Sequence, residues 1–183
     1  MAISKDLKEA IVMMPQKEKD KTLLRLIAKD EILMLRLEFE LLELGETLQS
    51  RRDEIRTRIL KIAKMKHDTP GWMMMDMRSL SGDIGQHVKI TKDKYGDIEL
   101  NLFMLNTFFD LQLNHLSVYN SKSDSCAEYI AKKTVTILKN ASKLEEDYFI
   151  EFEADINKLL ERVHSYCPKS YARDLKIQKT WPC

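Results

Sequence analysis

A lone carboxylate in an apolar segment is the first group in this sequence that could do chemistry. Asp110 is the only charged residue in the segment 100–121. Burying an unpaired carboxylate is costly, or it raises the carboxyl pKa until the group is protonated. We therefore expect Asp110 either to form a buried salt bridge, which we favour, or to lie in a cleft with a raised pKa. In the second case Asp76, Arg78 or His115 would lie nearby, and the candidate catalytic residues are Asp110, Asp76 and His115.

A carboxylate and an imidazole three residues apart suggest a second kind of site, one that binds metal. A helix would place Glu161 and His164 on adjacent turns, which is the ligand spacing of di-iron helical bundles. Such sites need a second Glu-x-x-His pair, and the sequence has none. The four histidines fall in different predicted elements, so a zinc or nickel site would require the fold to gather three of them. Glu161 and His164 are therefore weak metal candidates, and we predict no cofactor.

One strongly basic segment could bind an anionic partner. The chain has 30 basic and 29 acidic residues and a formal net charge of +1, which argues against nucleic acid as a partner of the whole surface. Segment 51–66 nevertheless has seven basic residues and two acidic ones, whereas segment 143–163 has seven acidic and three basic. We favour compensation of the basic helix by the acidic one, within the chain or across a dimer, over nucleic-acid binding. The candidate anion-binding residues are Arg51, Arg52, Arg56 and Arg58.

A methionine cluster favours a protein-interaction role. Four methionines surround Asp76, and they cannot all share one helical face. Unbranched thioether side chains can repack around different partners. The candidate interaction residues are Met73, Met74, Met75 and Met77.

Motifs of the common enzyme classes are absent from the sequence. It contains no Gly-rich phosphate loop, no nucleophile elbow and no zinc-protease motif. Its three cysteines, Cys126, Cys167 and Cys183, have neither the number nor the spacing of a disulfide framework or a redox pair. Asp6 and Glu9 interrupt the apolar residues of the N-terminus, so we predict no secretory signal and a cytoplasmic location. Besides Asp110, segment 100–121 contains Asn101, Asn106, Gln112, Asn114 and His115, and we predict no membrane association.

The elements that must position these residues are helices. Five glycines and four prolines are too few for a turn-rich β protein. Apolar residues in 24–42 and in 149–166 recur at intervals of three and four, which is one helical face. Asp30 could divide the first of these runs, and Gly45 ends it. Residues 98–116 are apolar nearly all round, which predicts a helix buried on all sides.

The segment between residues 72 and 102 is harder to assign. We favour a helix, a loop over 92–96 and a second helix with Asp97 as its N-cap. A β-hairpin near 87–102 is the alternative, because apolar and polar residues alternate on both sides of a plausible turn.

Together these patterns predict an all-α bundle of six to eight helices. We expect an N-terminal helical unit over 1–68, packed as one globular domain on an antiparallel bundle over 71–167, followed by a basic tail over 168–183. The favoured function is a protein-interaction or scaffolding module with a protein partner or a second copy in a homodimer. A nucleic-acid-associated protein using 51–66 and a metal-dependent bundle enzyme are the alternatives, and no catalytic motif supports an enzyme.

Overall fold

The computed structural model describes residues 3–182, which fold entirely into helices and loops. Cys183 lies outside the described residues. The helices in chain order are α1 (Lys5–Met13), α2 (Gln16–Ile27), α3 (Glu31–Leu41), α4 (Leu48–Ala63), α5 (Pro70–Thr91), α6 (Lys94–Leu111), α7 (Leu113–Leu116), α8 (Asp124–Ala141), α9 (Asp147–Ser165) and α10 (Lys169–Asp174).

The predicted all-α bundle is confirmed. Eight of the helices in the described range have seven or more residues, and α7 and α10 are shorter. Asp30 divides the long N-terminal apolar run as its side chain accepts a hydrogen bond from the Leu33 backbone N–H at 3.0 Å. It is therefore the N-cap of α3, where a carboxylate satisfies one of the free N–H groups of the first turn.

Helix α6 forms the centre of the core, as its all-round apolar sequence predicts. Eleven of its 18 residues are buried, including Phe108 and Phe109. Helices α4, α5, α8 and α9 pack around it. Ile59 and Ala63 of α4 belong to the same buried cluster as Ile156 of α9. The division of the chain at residues 68–71 remains a prediction.

The junction between α5 and α6 differs from the expected one in two ways. The hairpin alternative is wrong, because α5 continues to Thr91 and ends at Lys92 in the left-handed conformation, with φ of 60°. The predicted loop over 92–96 and the cap at Asp97 are also wrong. Asp93 is the N-cap, and its carboxylate accepts a hydrogen bond from the Gly96 N–H at 2.8 Å. The helix thus begins four residues earlier than we predicted from the sequence.

Two aromatic residues of the C-terminal segment, Tyr171 and Trp181, pack against the bundle. Trp181 is buried, and its backbone N–H and C=O each bond to the side chain of Asn157 on α9, at 2.8 Å. Tyr171 on α10 donates a hydrogen bond to Asp124 at the start of α8, at 2.7 Å. The tail is therefore held on α8 and α9 by aromatic residues.

Helices α1 to α3 lie at the edge of the fold. Helix α3 packs against α5, and α2 contacts α3. Lys19 of α2 donates a hydrogen bond to the Val12 carbonyl of α1 at 2.8 Å, which connects the first two helices. Within residues 3–182, none of the helices has the length and apolar character needed to cross a bilayer.

Candidate functional site

Two of the three candidate catalytic residues meet at His67. The His67 ring is almost fully buried, and its Nε2 donates a hydrogen bond to the Asp76 carboxylate at 3.0 Å. His115 Nε2 donates to the His67 carbonyl at 2.8 Å. Beside them Gln112 donates to the carbonyls of Ala63 and Met65 at the end of α4. These contacts fix the loop between α4 and α5.

The third candidate, Asp110, lies in a separate cluster at the end of α6. Its carboxylate forms salt bridges with Arg162 and with Lys158, the latter at 3.2 Å. The predicted salt bridge is therefore present, but its predicted burial is wrong, because the Asp110 side chain is 46% exposed. Desolvation acts to raise the pKa of Asp110, but the hydrogen bonds from Arg162 and Lys158 outweigh it and the pKa is lowered. The alternative of a raised pKa is wrong.

Glu161 and His164 do not belong to a cluster of metal ligands. His164 Nε2 donates a hydrogen bond to the Gln178 carbonyl at 3.1 Å, and Glu161 is exposed on α9. In the part of the chain that the structure describes, no three His, Cys, Asp or Glu side chains are grouped so that they could hold a metal ion.

The four arginines of the basic segment are paired with acidic residues of the same chain. The acids come from the loop after α3 and from the α5–α6 region, and not from segment 143–163 as we predicted. The pairs are Arg51–Glu43 at 2.7 Å, Arg52–Asp93 at 2.6 Å, Arg56–Glu99, and Arg58–Asp83 at 3.1 Å. Most of the positive charge on this helix is thus compensated where α4 packs on α5 and α6.

Asp93 is the centre of the most buried of these pairs. Arg52 binds both of its oxygens in a bidentate arrangement, at 2.6 and 2.7 Å, and His87 Nε2 lies 3.1 Å from one of them. The Asp93 and His87 side chains are each 4% exposed and that of Arg52 is 14% exposed. Gly96 is needed here, since a Cβ at that position would collide with the Asp93 carboxylate.

The charge state of this network is set by opposing effects. Desolvation acts to raise the pKa of Asp93, but hydrogen bonds from His87, Arg52 and the Gly96 N–H outweigh it and hold the pKa well below 3.8. The hydrogen bond to Asp93 is in turn the main cause that raises the pKa of Arg52. The ion pair is therefore fully formed at neutral pH and joins α4 to the start of α6.

Acid should weaken this ion pair in a predictable way. Because the pKa of Asp93 is lower in the folded chain than the usual 3.8, its contribution to stability is complete above pH 4 and is lost as the pH falls below that value. The loss can reach about 1.4 kcal/mol per pH unit. We expect the free energy of unfolding, measured in urea between pH 5 and pH 2, to fall more steeply for the natural protein than for Asp93→Asn. Equal slopes would contradict the assignment.

The methionine cluster is mostly inside the protein. Met73, Met74 and Met77 are buried, and only Met75 is exposed. The reason is that α5 packs against α3, α4, α6 and α8, so that most of its circumference is covered. These residues do not form a four-methionine surface, and any interaction surface has to be sought elsewhere.

An exposed apolar surface is present on α1 to α3. We name residues 3–44 the N-terminal arm. Among the described residues, none in α1 or α2 is buried, and half of all the exposed large hydrophobic side chains lie in the arm. The most exposed of these are Ile3, Met13, Leu24, Leu41, Leu42 and Leu44, at 65–84%.

Helix α3 is the most unusual part of the arm. Seven of its 11 residues are large and apolar and they cover most of its circumference, yet only Phe39 is buried. A helix that is apolar nearly all round is normally enclosed by protein. The spacing of the apolar residues in 24–42 predicts one helical face and does not show what covers it. The sequence contains a sign of this arrangement, because the four consecutive apolar residues at 32–35 cannot all lie on one face of a helix.

The two buried cysteines are unreactive groups. Burial raises the pKa of the Cys126 and Cys167 thiols to about 12. A thiol with so high a pKa is a poor nucleophile at neutral pH. They contribute to the core between α8, α9 and α10 and not to a reactive site.

No protein-family model matches this chain, and neither a curated protein nor a solved structure matches it.

Proposed function

We propose that this protein is a helical protein-interaction module and that the N-terminal arm is its association surface. The observation that carries the proposal is the apolar surface of the N-terminal arm: none of the described residues of α1 and α2 is buried, and of the seven large apolar residues of α3 only Phe39 is buried. Apolar side chains grouped on a surface cost free energy in water and mark interaction sites when the patch exceeds a few hundred Å². Helices α1 and α2 extend this apolar surface, with side chains such as Leu7 and Leu24 more than half exposed.

A second copy of the chain is the partner that we propose. Helix α2 has four basic residues and two acidic ones, whereas α3 has three acidic residues and one basic. In a two-fold dimer, α2 of one copy can pack on α3 of the other, so that opposite charges surround a shared apolar contact. The near-zero net charge of the chain adds little repulsion between copies.

The other functions considered have less support. Nucleic-acid binding by segment 51–66 would require Arg51, Arg52, Arg56 and Arg58 to leave acidic partners within the chain. Of the candidate catalytic residues, Asp76 and His115 contact His67, whereas Asp110 contacts Arg162. The three residues therefore do not form one cluster. The cytoplasm is the location that we propose, where the buried thiols Cys126 and Cys167 would stay reduced.

Sedimentation equilibrium of the full chain tests this proposal. We expect a molar mass of twice 21.5 kDa at concentrations of tens of micromolar, falling toward 21.5 kDa on dilution. Because apolar contacts dominate the surface, 0.5 M NaCl should leave the dimer largely intact. A mass of 21.5 kDa at every concentration would overturn self-association.

A further inference from the structure

A cleft lies at the other end of the chain, where α10 and the following residues turn over the end of α9. We name it the C-terminal cleft. Residues 117–119 and 164–167 line it together with part of segment 169–179, and its volume is about 950 Å³. Pockets for small molecules have volumes of roughly 300–1,000 Å³. The cleft is therefore large enough for a molecule of nucleotide size.

Basic residues dominate the charge of the C-terminal cleft. Four Lys or Arg residues line it, and no Asp or Glu occurs among the described residues that do so. The nearest acid along the chain is Asp174, whose carboxylate lies 3.9 Å from Arg173; both side chains are more than 60% exposed, so this pair is weak. The basic lining residues are Lys169, Arg173, Lys176 and Lys179.

Part of the cleft is apolar. Cys167, Ala172 and Ile177 are buried residues that line it, and Val118 lies at its exposed edge. Five hydroxyl-bearing residues also contribute to the lining: Ser117, Tyr119, Ser165, Tyr166 and Ser170. A concave site that combines apolar area with several cations suits a ligand with an apolar body and an anionic group.

Hydrogen bonds hold the walls of the cleft in place. The Cys167 N–H donates to the Leu116 carbonyl, and the Ile177 N–H donates to the Ala172 carbonyl, each at 2.9 Å. His164 donates to the backbone of the tail at 3.1 Å. These hydrogen bonds within the chain fix the shape of the cleft, which lowers the entropy cost of binding.

We propose that the C-terminal cleft binds a small organic phosphate, with the phosphate among Arg173, Lys176 and the neighbouring lysines and the apolar body against Val118 and Ile177. Arginine and lysine are the usual partners of phosphate oxygens. The site is separate from the N-terminal arm, so this inference does not depend on the proposed self-association.

Fluorescence titration of the full chain with 1-naphthyl phosphate tests the assignment. We expect saturable binding, and binding at least about tenfold weaker for inorganic phosphate and for 1-naphthol, because each offers only one of the two interactions. Adenosine monophosphate and hexyl phosphate serve as competitors. Displacement of 1-naphthyl phosphate by adenosine monophosphate indicates a nucleotide-like ligand, and displacement by hexyl phosphate indicates a lipid-like one. Either result supports the proposal.

Two double variants test whether 1-naphthyl phosphate binds in the C-terminal cleft. The double variant Arg173→Gln, Lys176→Gln should bind 1-naphthyl phosphate about tenfold more weakly. Lys61→Gln, Lys139→Gln is the matched control, because it removes the same charge from exposed positions on α4 and α8. Absence of saturable binding, or equal affinity of the two double variants, would overturn the proposal. Binding of a polyglutamate peptide without binding of naphthyl phosphate would assign the cleft to an acidic protein segment and would also overturn it.

Discussion

Asp93→Ala is expected to lower the free energy of unfolding by about 3–5 kcal/mol. The substitution leaves the buried Arg52 guanidinium without its bidentate partner and removes an acceptor from His87. It also removes the N-cap of α6, the central helix of the core. Arg52 would keep only Glu99, 3.7 Å away, so a partly buried cation would be poorly compensated, and this cost accounts for most of the expected loss.

Urea unfolding at pH 7 and at one fixed protein concentration measures the effect. Asp174→Ala is the matched control, since the Asp174 side chain is 67% exposed and should change the free energy by less than about 0.5 kcal/mol. Asp93→Asn should lie between the two, because an asparagine can still cap the helix but cannot neutralise Arg52. If Asp93→Ala lowers the free energy of unfolding no more than Asp174→Ala does, the network of Asp93, Arg52 and His87 contributes little to stability.

Leu24→Glu combined with Leu41→Glu is expected to abolish self-association. Both side chains are 67% exposed in the single chain, so the substitutions should leave its folding nearly unchanged. In a dimer each glutamate would be desolvated on an apolar contact, at about 1–3 kcal/mol per site. Four such sites in a two-fold dimer would raise the dissociation constant by several orders of magnitude.

Sedimentation velocity shows whether the double variant is a monomer or a dimer. The matched control is Val135→Glu with Ile150→Glu, which places the same charges on exposed apolar positions of α8 and α9. We expect the control to sediment like the natural protein and the arm variant to sediment as a monomer with unchanged helical circular dichroism. A dimer of the arm variant would place the interface elsewhere.

Much of the fold could be predicted from local patterns. The all-round apolar sequence of 98–116 identified the central helix, because a helix without a polar face has to be enclosed. The cap at Asp30 was also predictable from a carboxylate placed just before an apolar run. Asp93 was missed in favour of Asp97, since Asp97 directly precedes the apolar run that starts at Ile98, and only the contacts of Asp93 with Arg52 and the Gly96 N–H identify it as the cap.

The candidate sites were less accessible to sequence reasoning, because they depend on contacts between distant residues. The partners of Arg52 and Arg56 lie more than 40 residues away on α6 and the residue before it. Burial of the methionines on α5 follows from four helices that surround it, which no local pattern reveals. The apolar excess of α3 was visible in the sequence, but its exposure was not.

The claim that a second copy covers the N-terminal arm is tested most directly by photo-crosslinking. With p-benzoyl-phenylalanine in place of Leu41, irradiation should give a product of twice 21.5 kDa, and mass spectrometry should map its second attachment point to residues 3–44 of the other copy. The same probe at Ile150 on α9 should give no such product. A Leu41 probe that leaves the chain monomeric, or that attaches outside residues 3–44 of a second copy, would contradict the proposed interface.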